Sequence, residues 1–275
     1  MRVNNADWAQ FYSDFKRKTG LDLDLYKANQ LQRRIISMAE SKNCQSLPEF
    51  WRWMQAPGNV QWFMDRLAIN VSEMFRNPEK WRELENQVIP ELLKESRRLK
   101  IWSAGCSYGA EAHSLAMLLD ARFPGSHTII GSDIDEAALA QARKSEFNDA
   151  DIKGVPRDLA QKYVRPSGDK YTVDPCLKKY LNFKRQNLLG DPFEGGFDMI
   201  MCRNVVIYFT EEAKAELYKK FLASLRPGGV LFVGSTERIF KSDELGFESY
   251  LPFFYRKPQT NTIQSKGEQR WRSAS

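Results

Sequence analysis

Apolar residues in the first hundred positions recur every three or four residues, which is the spacing of amphipathic helices. The first helix is indicated by four aromatic residues at positions i, i+3, i+4 and i+7, namely Trp8, Phe11, Tyr12 and Phe15. Ser46 and Glu49 have the spacing of a capping box, with Pro48 in the first turn of a helix. Similar spacing predicts helices over residues 27–39, 62–69 and 78–97. We therefore expect an all-α N-terminal domain over residues 1–77 and a linker helix over 78–98.

From Leu99 onwards, short apolar runs alternate with helical stretches, which is the pattern of a parallel α/β sheet. Strands are predicted over residues 99–104, 128–132, 197–202, 230–233 and 253–255, and helices over 111–122, 135–142 and 211–225. The turn RPGG (residues 226–229) is expected to lead into the fourth strand. Alternating residues around Gly168 predict a small hairpin inserted over residues 163–186. The expected fold class is therefore α/β, with a Rossmann-like domain over residues 99–257.

The composition is that of a globular protein, with 42% hydrophobic and 28% charged residues. No apolar run approaches the roughly 18 residues that span a bilayer, and the N-terminus lacks the apolar stretch of a signal peptide. We therefore expect a cytoplasmic protein with no membrane insertion. The four cysteines form no C-x-x-C pair and there are only two histidines, so disulfide frameworks, metal clusters and Ser-His-Asp chemistry are disfavoured.

The net charge of +6 would suit a nucleic-acid partner, but its distribution argues against one. The last 20 residues, from 256 onwards, carry 5 basic side chains and 1 acidic side chain, which is most of the excess. Residues 258–275 are polar and poor in periodic apolar positions, so we predict a disordered basic tail without a catalytic role. No nucleic-acid partner is expected.

The glycine-containing turn after the first predicted strand is a candidate ligand site. Gly105 and Gly109 have a G-x-x-x-G spacing, and such a turn lies at the carboxyl edge of the sheet, where doubly wound folds bind nucleotides. Asp133 ends the second strand, where a carboxylate can accept both hydroxyls of a ribose. Alternatively, Asp133 caps the following helix, and Asp135 can serve either role.

The chain has no phosphate-binding G-x-x-x-x-G-K-[ST] motif, which disfavours nucleoside triphosphates. S-adenosylmethionine is then the natural candidate, since it offers an adenosine for Asp133 and an amino-acid end for the turn, without phosphates. Glu111 can accept a hydrogen bond from the ammonium of that ligand. The alternative for Glu111 is a first-turn residue favoured by the helix dipole.

Four stretches together resemble the CheR-type chemotaxis receptor glutamate methyltransferases. They are NVSEMFR (residues 70–76), similar to the family's N-x-[TS]-x-F-F-R, WSAGCSYGAE (102–111), SDID (132–135) and CRNVVIYF (202–209). The resemblance covers residues 7–257, nearly the whole chain. It implies transfer of a methyl group from S-adenosylmethionine to receptor glutamates, with S-adenosylhomocysteine as the other product.

The resemblance also implies a set of site residues. The implied cofactor-binding residues are Asn70, Ser72, Arg76, Ala104, Gly105, Glu111, Asp133, Asn187, Leu188, Arg203 and Asn204. Because the substrate glutamate is already ionised at pH 7, the reaction needs alignment more than a base. Arg76 or Arg203 can orient the incoming carboxylate, and Tyr208 would lie near the transferable methyl group. The alternatives are a structural ion pair for Arg203 and a buried aromatic role for Tyr208.

Three residues of the turn and following helix depart from the family pattern S-x-G-E-E-x-Y-S. Ala110 replaces the first glutamate of the pattern and His113 replaces its tyrosine. Tyr108 occupies a position where the family usually has a small residue. These departures motivate one alternative, a catalytically degenerate methyltransferase fold that acts as an interaction or regulatory module. A nucleic-acid methyltransferase is disfavoured, because the motif [DN]-P-P-[YF] does not follow Cys202.

The implied partners are the cytoplasmic domains of methyl-accepting chemotaxis receptors, and we expect a monomer. Cationic groups suited to an acidic receptor helix are Lys16, Arg17, Lys18, Arg33, Arg34 and Arg52. Each of them can equally belong to a solvated helix face. The turn of the predicted hairpin is short, which favours a member that does not tether a receptor peptide there.

Overall fold

The N-terminal domain is a bundle of helices around an aromatic core. This computed structural model describes residues 1, 3–67 and 72–259. The helices are α1 (Asn5–Thr19), α2 (Ala28–Glu40), α3 (Leu47–Met54) and α4 (Asn59–Leu67). Phe15, Phe50 and Phe63 are fully buried between them, with the rings of Phe15 and Phe63 5.1 Å apart in an edge-to-face pair. The predicted stripe on α1 is confirmed, since Trp8, Phe11, Tyr12 and Phe15 are all buried.

The predicted capping box at α3 is half present. Ser46 Oγ accepts the amide of Glu49 at 3.3 Å, as expected of an N-cap. The Glu49 carboxylate accepts the amide of Gln45 at 2.6 Å, one residue before the position that the motif predicts.

The segment that joins the two domains is helical from residue 78 to residue 95. It consists of α5 (Pro78–Glu83), a π-helical turn (Leu84–Val88) and α6 (Ile89–Glu95). The widened turn lies directly before Pro90, whose ring collides with the preceding turn of a regular helix. Trp81 and Leu84 are buried against the sheet domain.

The second domain is built on a seven-stranded sheet. Its elements in chain order are β1 (Lys100–Ala104), α7 (Ala110–Arg122), β2 (Thr128–Asp133), α8 (Glu136–Lys144), β3 (Glu146–Phe147), α9 (Asp149–Ile152), α10 (Arg157–Tyr163), β4 (Val164–Ser167), β5 (Lys170–Val173), β6 (Leu181–Arg185), β7 (Phe197–Cys202), α11 (Glu211–Ser224), β8 (Leu225–Val233), β9 (Glu248–Leu251) and β10 (Phe254–Arg256). The strand order is β6-β2-β1-β7-β8-β10-β9. In this order, β6, β2, β1, β7 and β8 are parallel to one another, and β10 is antiparallel to both of its neighbours, β8 and β9. The predicted Rossmann-like α/β fold is confirmed.

Successive residues of the central strands enter two different cores, one on each face of the sheet. On β1, Ile101 packs with α7 and the helix of residues 78–95, whereas Trp102 packs with α11. This alternation follows from the two-residue period of a strand. Among the described residues, no helix is long and apolar enough to cross a membrane.

The strands at the sheet edges differ most from expectation. Residues 181–185, which we assigned to the inserted hairpin, form the edge strand β6 of the large sheet. Strands β9 and β3 were not predicted. Residues 226–229, expected as a turn, lie within β8, whose register with β7 shifts there. The expected hairpin itself is present as β4 and β5, which form a small antiparallel sheet with β3.

The carboxylate of Asp120 on α7 ties the inserted segment to the sheet domain. It accepts the hydroxyls of Tyr163 at 2.7 Å and Tyr180 at 3.0 Å, and Lys179 lies 2.9 Å away. Although burial alone raises the pKa of Asp120, these partners hold it well below its usual range. None of these four residues lines the cavity described next.

Candidate functional site

A cavity of about 730 Å³ lies between the carboxyl edge of the sheet and the helical domain. We call its two sides the sheet wall and the helical wall. The sheet wall comes from the segments that follow β1, β2, β6 and β7, and includes Gly105, Glu111, Asp133, Asn187 and Arg203. The helical wall includes Tyr26, Lys27, Arg33, Arg34, Ser72 and Arg76. A volume of this size accommodates a nucleoside cofactor with room for part of a second substrate.

The turn after β1 brings its backbone close to other strands. Gly105 has a φ of +74°, and a Cβ there would lie 2.5 Å from Val205 Cγ2. The amides of Gly105 and Cys106 donate to the carbonyl of Ser132 at 2.8 and 2.9 Å. A side chain at position 105 would therefore push the turn away from the end of β7, so glycine is required there.

Asp133 at the end of β2 is held by backbone amides. Its carboxylate accepts from the amides of Ser107 at 2.7 Å and Asp135 at 3.0 Å. Burial raises its pKa, and these hydrogen bonds oppose the shift. The N-cap of α8 is Asp135, whose side chain accepts the amide of Ala138 at 3.0 Å. The capping alternative therefore applies to Asp135, and Asp133 lines the cavity.

Glu111 and Arg203 form a buried ion pair in the sheet wall. Glu111 Oε2 lies 3.2 Å from Arg203 Nη1, and Glu111 Oε1 accepts the hydroxyl of Ser103 at 2.8 Å. The Arg203 side chain is only 5% exposed. Its Nη2 also donates to the Arg76 carbonyl at 2.9 Å and to Asn77 Oδ1 at 2.8 Å. Arg203 is therefore fixed by Glu111 and by two residues of the 72–77 segment, and the ion pair that the sequence analysis left as an alternative is present.

Glu237 is a buried carboxylate that our sequence analysis missed. Its Oε2 accepts the amides of Asn204 at 2.6 Å and Gly234 at 2.8 Å. Asn204 has a left-handed φ of +60°, a conformation that needs support from its surroundings. Burial raises the pKa of Glu237, and these amide hydrogen bonds offset part of that increase. The one indication of Glu237 in the sequence was that an acidic residue follows the strand predicted over residues 230–233.

Tyr208 lies where the two walls meet. It ends the 3-10 helix Val206–Tyr208, and its carbonyl accepts the amide of Lys27 at 2.9 Å. Next to it, the rings of Tyr26 and Phe209 are 5.2 Å apart in an edge-to-face contact. Burial raises the pKa of the Tyr208 hydroxyl, and nearby Arg34 opposes this shift. The hydroxyl is therefore neutral at pH 7.

Most of the expected site residues meet in this one cavity. Those that line it are Ser72, Arg76, Gly105, Glu111, Asp133, Asn187, Leu188, Arg203, Asn204 and Tyr208. Ala104 is buried at the end of β1 and does not line the cavity. Asn70 lies outside the described residues. Sequence reasoning missed several lining residues of the helical domain and β6, among them Tyr26, Lys27 and Gln186.

His113, one of the three departures from the family pattern, lies behind the turn. Its Nδ1 lies 2.8 Å from the Gly109 carbonyl, and its Nε2 lies 3.0 Å from Ser145 Oγ. The carbonyl can only accept, so Nδ1 carries the proton and Nε2 accepts from Ser145. Burial lowers the pKa of His113 to about 4. The ring is therefore neutral at pH 7 and supports the turn from behind.

The chemistry of the sheet wall fits an adenosine cofactor with a cationic end. Two carboxylates, Glu111 and Asp133, face the cavity from this side. The one arginine of the sheet wall, Arg203, is already paired with Glu111. A phosphate-bearing nucleotide would need free cations here, whereas a sulfonium and an ammonium group suit carboxylates.

The comparisons with known proteins agree with this chemistry. A model of "CheR methyltransferase, SAM binding domain" matches residues 70–250, and a model of "CheR methyltransferase, all-alpha domain" matches residues 6–67. The chain is 39% identical over 254 residues to a chemotaxis protein methyltransferase of Listeria monocytogenes, with 91% of this chain and 97% of that protein covered. It is 31% identical over 254 residues to a chemotaxis protein methyltransferase of Borreliella burgdorferi, with 86% and 89% covered.

The two family models together cover most of the chain, as does each relative, and the cavity offers carboxylates that suit a sulfonium cofactor. The chain belongs to the CheR methyltransferase family and is an S-adenosylmethionine-dependent methyltransferase of chemotaxis.

Proposed function

We propose that this protein methylates glutamate side chains of chemotaxis receptors and forms glutamyl methyl esters. The observation that carries the proposal is the charge division of the cavity. Its sheet wall bears Glu111 and Asp133, with Arg203 paired to Glu111, whereas its helical wall bears four cations against one carboxylate, Glu73; these cations are Lys27, Arg33, Arg34 and Arg76. A cationic cofactor suits the first wall, and an anionic substrate suits the second.

We assign the sheet wall to the cofactor. The Asp133 carboxylate, fixed by two amides, accepts the ribose hydroxyls. Glu111 accepts the ammonium group through lone pairs that Ser103 and Arg203 leave available. Asn187 and Leu188 line the adenine region. When bound, S-adenosylmethionine supplies an electrophilic methyl group.

The helical wall then positions the substrate. A glutamate with an ordinary pKa of about 4.3 is ionised at pH 7, so no residue has to remove a proton from it. We propose that Arg76 orients the incoming carboxylate, since its side chain is 36% exposed and its contact with Glu73 is long at 4.0 Å. The neutral hydroxyl of Tyr208 borders the same region. Both terminal nitrogens of Arg203, Nη1 and Nη2, donate to protein acceptors, so its proposed role is to hold Glu111 and Arg76 in place.

Among the candidate docking cations, the structure favours those on α2. Arg33 is exposed and lines the cavity together with Arg34. By contrast, Lys16 and Arg17 on α1 are paired with Asp22 and Asp14, and they do not line the cavity. A receptor helix with acidic residues would therefore dock across α2 and present its glutamate to the cavity.

The test is transfer of labelled methyl from S-adenosylmethionine to purified receptor signalling domains. Label released by alkali as methanol identifies a carboxyl ester, and we expect most of the label on the receptor to behave this way. A known enzyme of the family acting on the same receptors is the positive control. Binding of S-adenosylhomocysteine without transfer, while the control works, would contradict the proposal and favour a catalytically degenerate module.

A further inference from the structure

Tyr108 links the two walls of the cavity. It lies in the turn between β1 and α7, at a position that is usually small in the family, and it is only 9% exposed. Its hydroxyl accepts the amide of Ser72 at 3.2 Å and also contacts the Ser72 carbonyl. The same hydroxyl donates to Asp151 Oδ1 at 2.9 Å. A hydroxyl has one proton to donate, so with that proton on Asp151 the Tyr108 hydroxyl holds Ser72 through its amide.

Asp151 is a rigid anchor for this link. Its Oδ2 accepts the amide of Asn148 at 2.8 Å, which completes the capping box of α9. Its carbonyl accepts the amide of Met74 at 2.8 Å. Because Asp151 is itself buried, neither contact is open to competition from water. The partners of Tyr108 thus hold Ser72 and Met74 together.

The segment of residues 72–77 needs such support because its backbone is strained. Phe75 and Asn77 have φ values of +53° and +61°, and the left-handed region is costly for a bulky residue such as phenylalanine. Two further contacts oppose that strain. The Phe75 amide donates to Ser114 Oγ at 3.1 Å, and the Met74 carbonyl lies so close to Gly154 that a Cβ there would be 2.2 Å away.

We propose that Tyr108 is a positioning residue whose hydroxyl places Ser72 and Arg76 on the cofactor cavity and thereby sets the affinity for S-adenosylmethionine. Ser72 and Arg76 both line that cavity, and the Arg76 carbonyl also receives Arg203. The inference rests on the proposed function and on the cofactor-binding role that the family resemblance implies for Ser72 and Arg76. Without the hydroxyl, the segment samples other positions, and cofactor binding has to restore its order.

The experiment compares Tyr108→Phe with Tyr163→Phe by titration calorimetry with S-adenosylhomocysteine. The two tyrosines are matched, since both are buried and both hydroxyls donate to an aspartate, Asp151 or Asp120. We expect about tenfold weaker binding for Tyr108→Phe, as for the loss of one or two hydrogen bonds. Tyr163→Phe should bind as the parent does, although it also loses stability.

A transfer assay and a second variant distinguish a positioning role of Tyr108 from a merely structural role. In a transfer assay, the KM for S-adenosylmethionine should rise in Tyr108→Phe in step with the weaker binding, and kcat should fall to the extent that Arg76 no longer orients the substrate carboxylate. Ser114→Ala removes the hydrogen bond to the Phe75 amide, which also holds this segment. We expect it to weaken cofactor binding as well, and it tests the proposal if Tyr108→Phe does not fold.

Unchanged affinity in Tyr108→Phe, or an equal loss in Tyr163→Phe, would overturn the inference. If Tyr108→Phe does not fold, unchanged affinity in Ser114→Ala would do so. Calorimetry requires no receptor, so its result stands even if receptors prove not to be the substrate.

Discussion

The two walls of the cavity are held in place by different physical means. The sheet wall is organised mainly by amides and by the ends of parallel strands, although Arg203 also reaches Arg76 and Asn77. Asp133, for example, is fixed by amides two residues after it and 26 residues before it. The helical wall depends on contacts between residues that are distant in the sequence. Ser72 is placed by Tyr108, and the Arg76 carbonyl is placed by Arg203, 127 residues away.

This difference has a consequence for function. A preorganised wall binds without paying for its own ordering, which suits the recognition of one invariant cofactor. A wall assembled across a domain junction can adjust, which suits a protein substrate whose sequence varies around the modified residue.

The largest effect is expected from Glu111→Gln. This change leaves the Arg203 guanidinium buried without its counter-charge, and such a loss costs about 3 kcal/mol of unfolding free energy. Affinity for S-adenosylhomocysteine should fall as well, since the acceptor for the ammonium group is weakened. Urea unfolding and calorimetry measure the two effects.

A double variant, Glu111→Gln with Arg203→Met, separates the loss of stability from the loss of cofactor affinity. It removes the uncompensated charge, so we expect it to be more stable than Glu111→Gln alone, with affinity still low. If Glu111→Gln were as stable as the parent, the pair would not be what fixes the sheet wall.

Asp133→Ala should abolish most cofactor binding while the fold persists. Two hydrogen bonds from ribose hydroxyls to a carboxylate contribute about 3 kcal/mol, or roughly 100-fold in Kd. Asp135→Ser is the matched control, because serine keeps the N-cap of α8. Calorimetry with S-adenosylhomocysteine should show near-parent affinity for that control. Equal losses in both variants would mean that the turn, and not the Asp133 carboxylate, carries the binding.

The sheet wall was more predictable from the sequence than the helical wall, for a physical reason. Gly105, Glu111 and Asp133 follow buried strands, and the carboxyl ends of parallel strands meet at one edge. Local pattern alone therefore brings these residues together. Their part in a cofactor site still relied on the resemblance to a family.

What the sequence missed depends on long-range contacts. Glu237 reaches the amide of Asn204, 33 residues away, and no local period encodes that approach. The contribution of Tyr26 and Lys27 to the cavity depends on how the two domains pack. Edge strands were missed because they are only partly buried: β6 consists of half-buried and exposed residues, and β9 begins with two exposed residues. Their apolar signal is therefore weak.

His113→Gln tests how firmly the sheet wall is supported from behind. Burial lowers the pKa of His113 to about 4, whereas an unfolded histidine has a pKa of about 6.5. Between these values the unfolded state binds a proton and the folded state does not, so the stabilising contribution is full above pH 6.5 and is lost as the pH falls. From pH 7 to pH 5 the parent should lose about 2 kcal/mol more than the variant.

Urea midpoints at the two pH values give this difference directly. Other buried acids, such as Glu237, are present in both parent and variant, so their contributions to the pH dependence of stability cancel. Parallel pH profiles for parent and variant would mean that His113 does not remain neutral when the protein is folded.

Arg33→Glu is expected to change substrate recognition alone, because Arg33 belongs to the helical wall and has no part in the proposed cofactor site. Reversal of this exposed charge should raise the KM for a receptor domain about tenfold at low salt, through loss of electrostatic steering and register. The effect should shrink at 0.5 M salt, where screening lengths fall to a few ångströms. Affinity for S-adenosylhomocysteine and kcat should stay unchanged. Arg52→Glu is the matched control, since Arg52 is equally exposed but lies on α3, away from the cavity. If both variants raised KM alike, overall charge would be the cause, and the division of labour between the two walls would be lost.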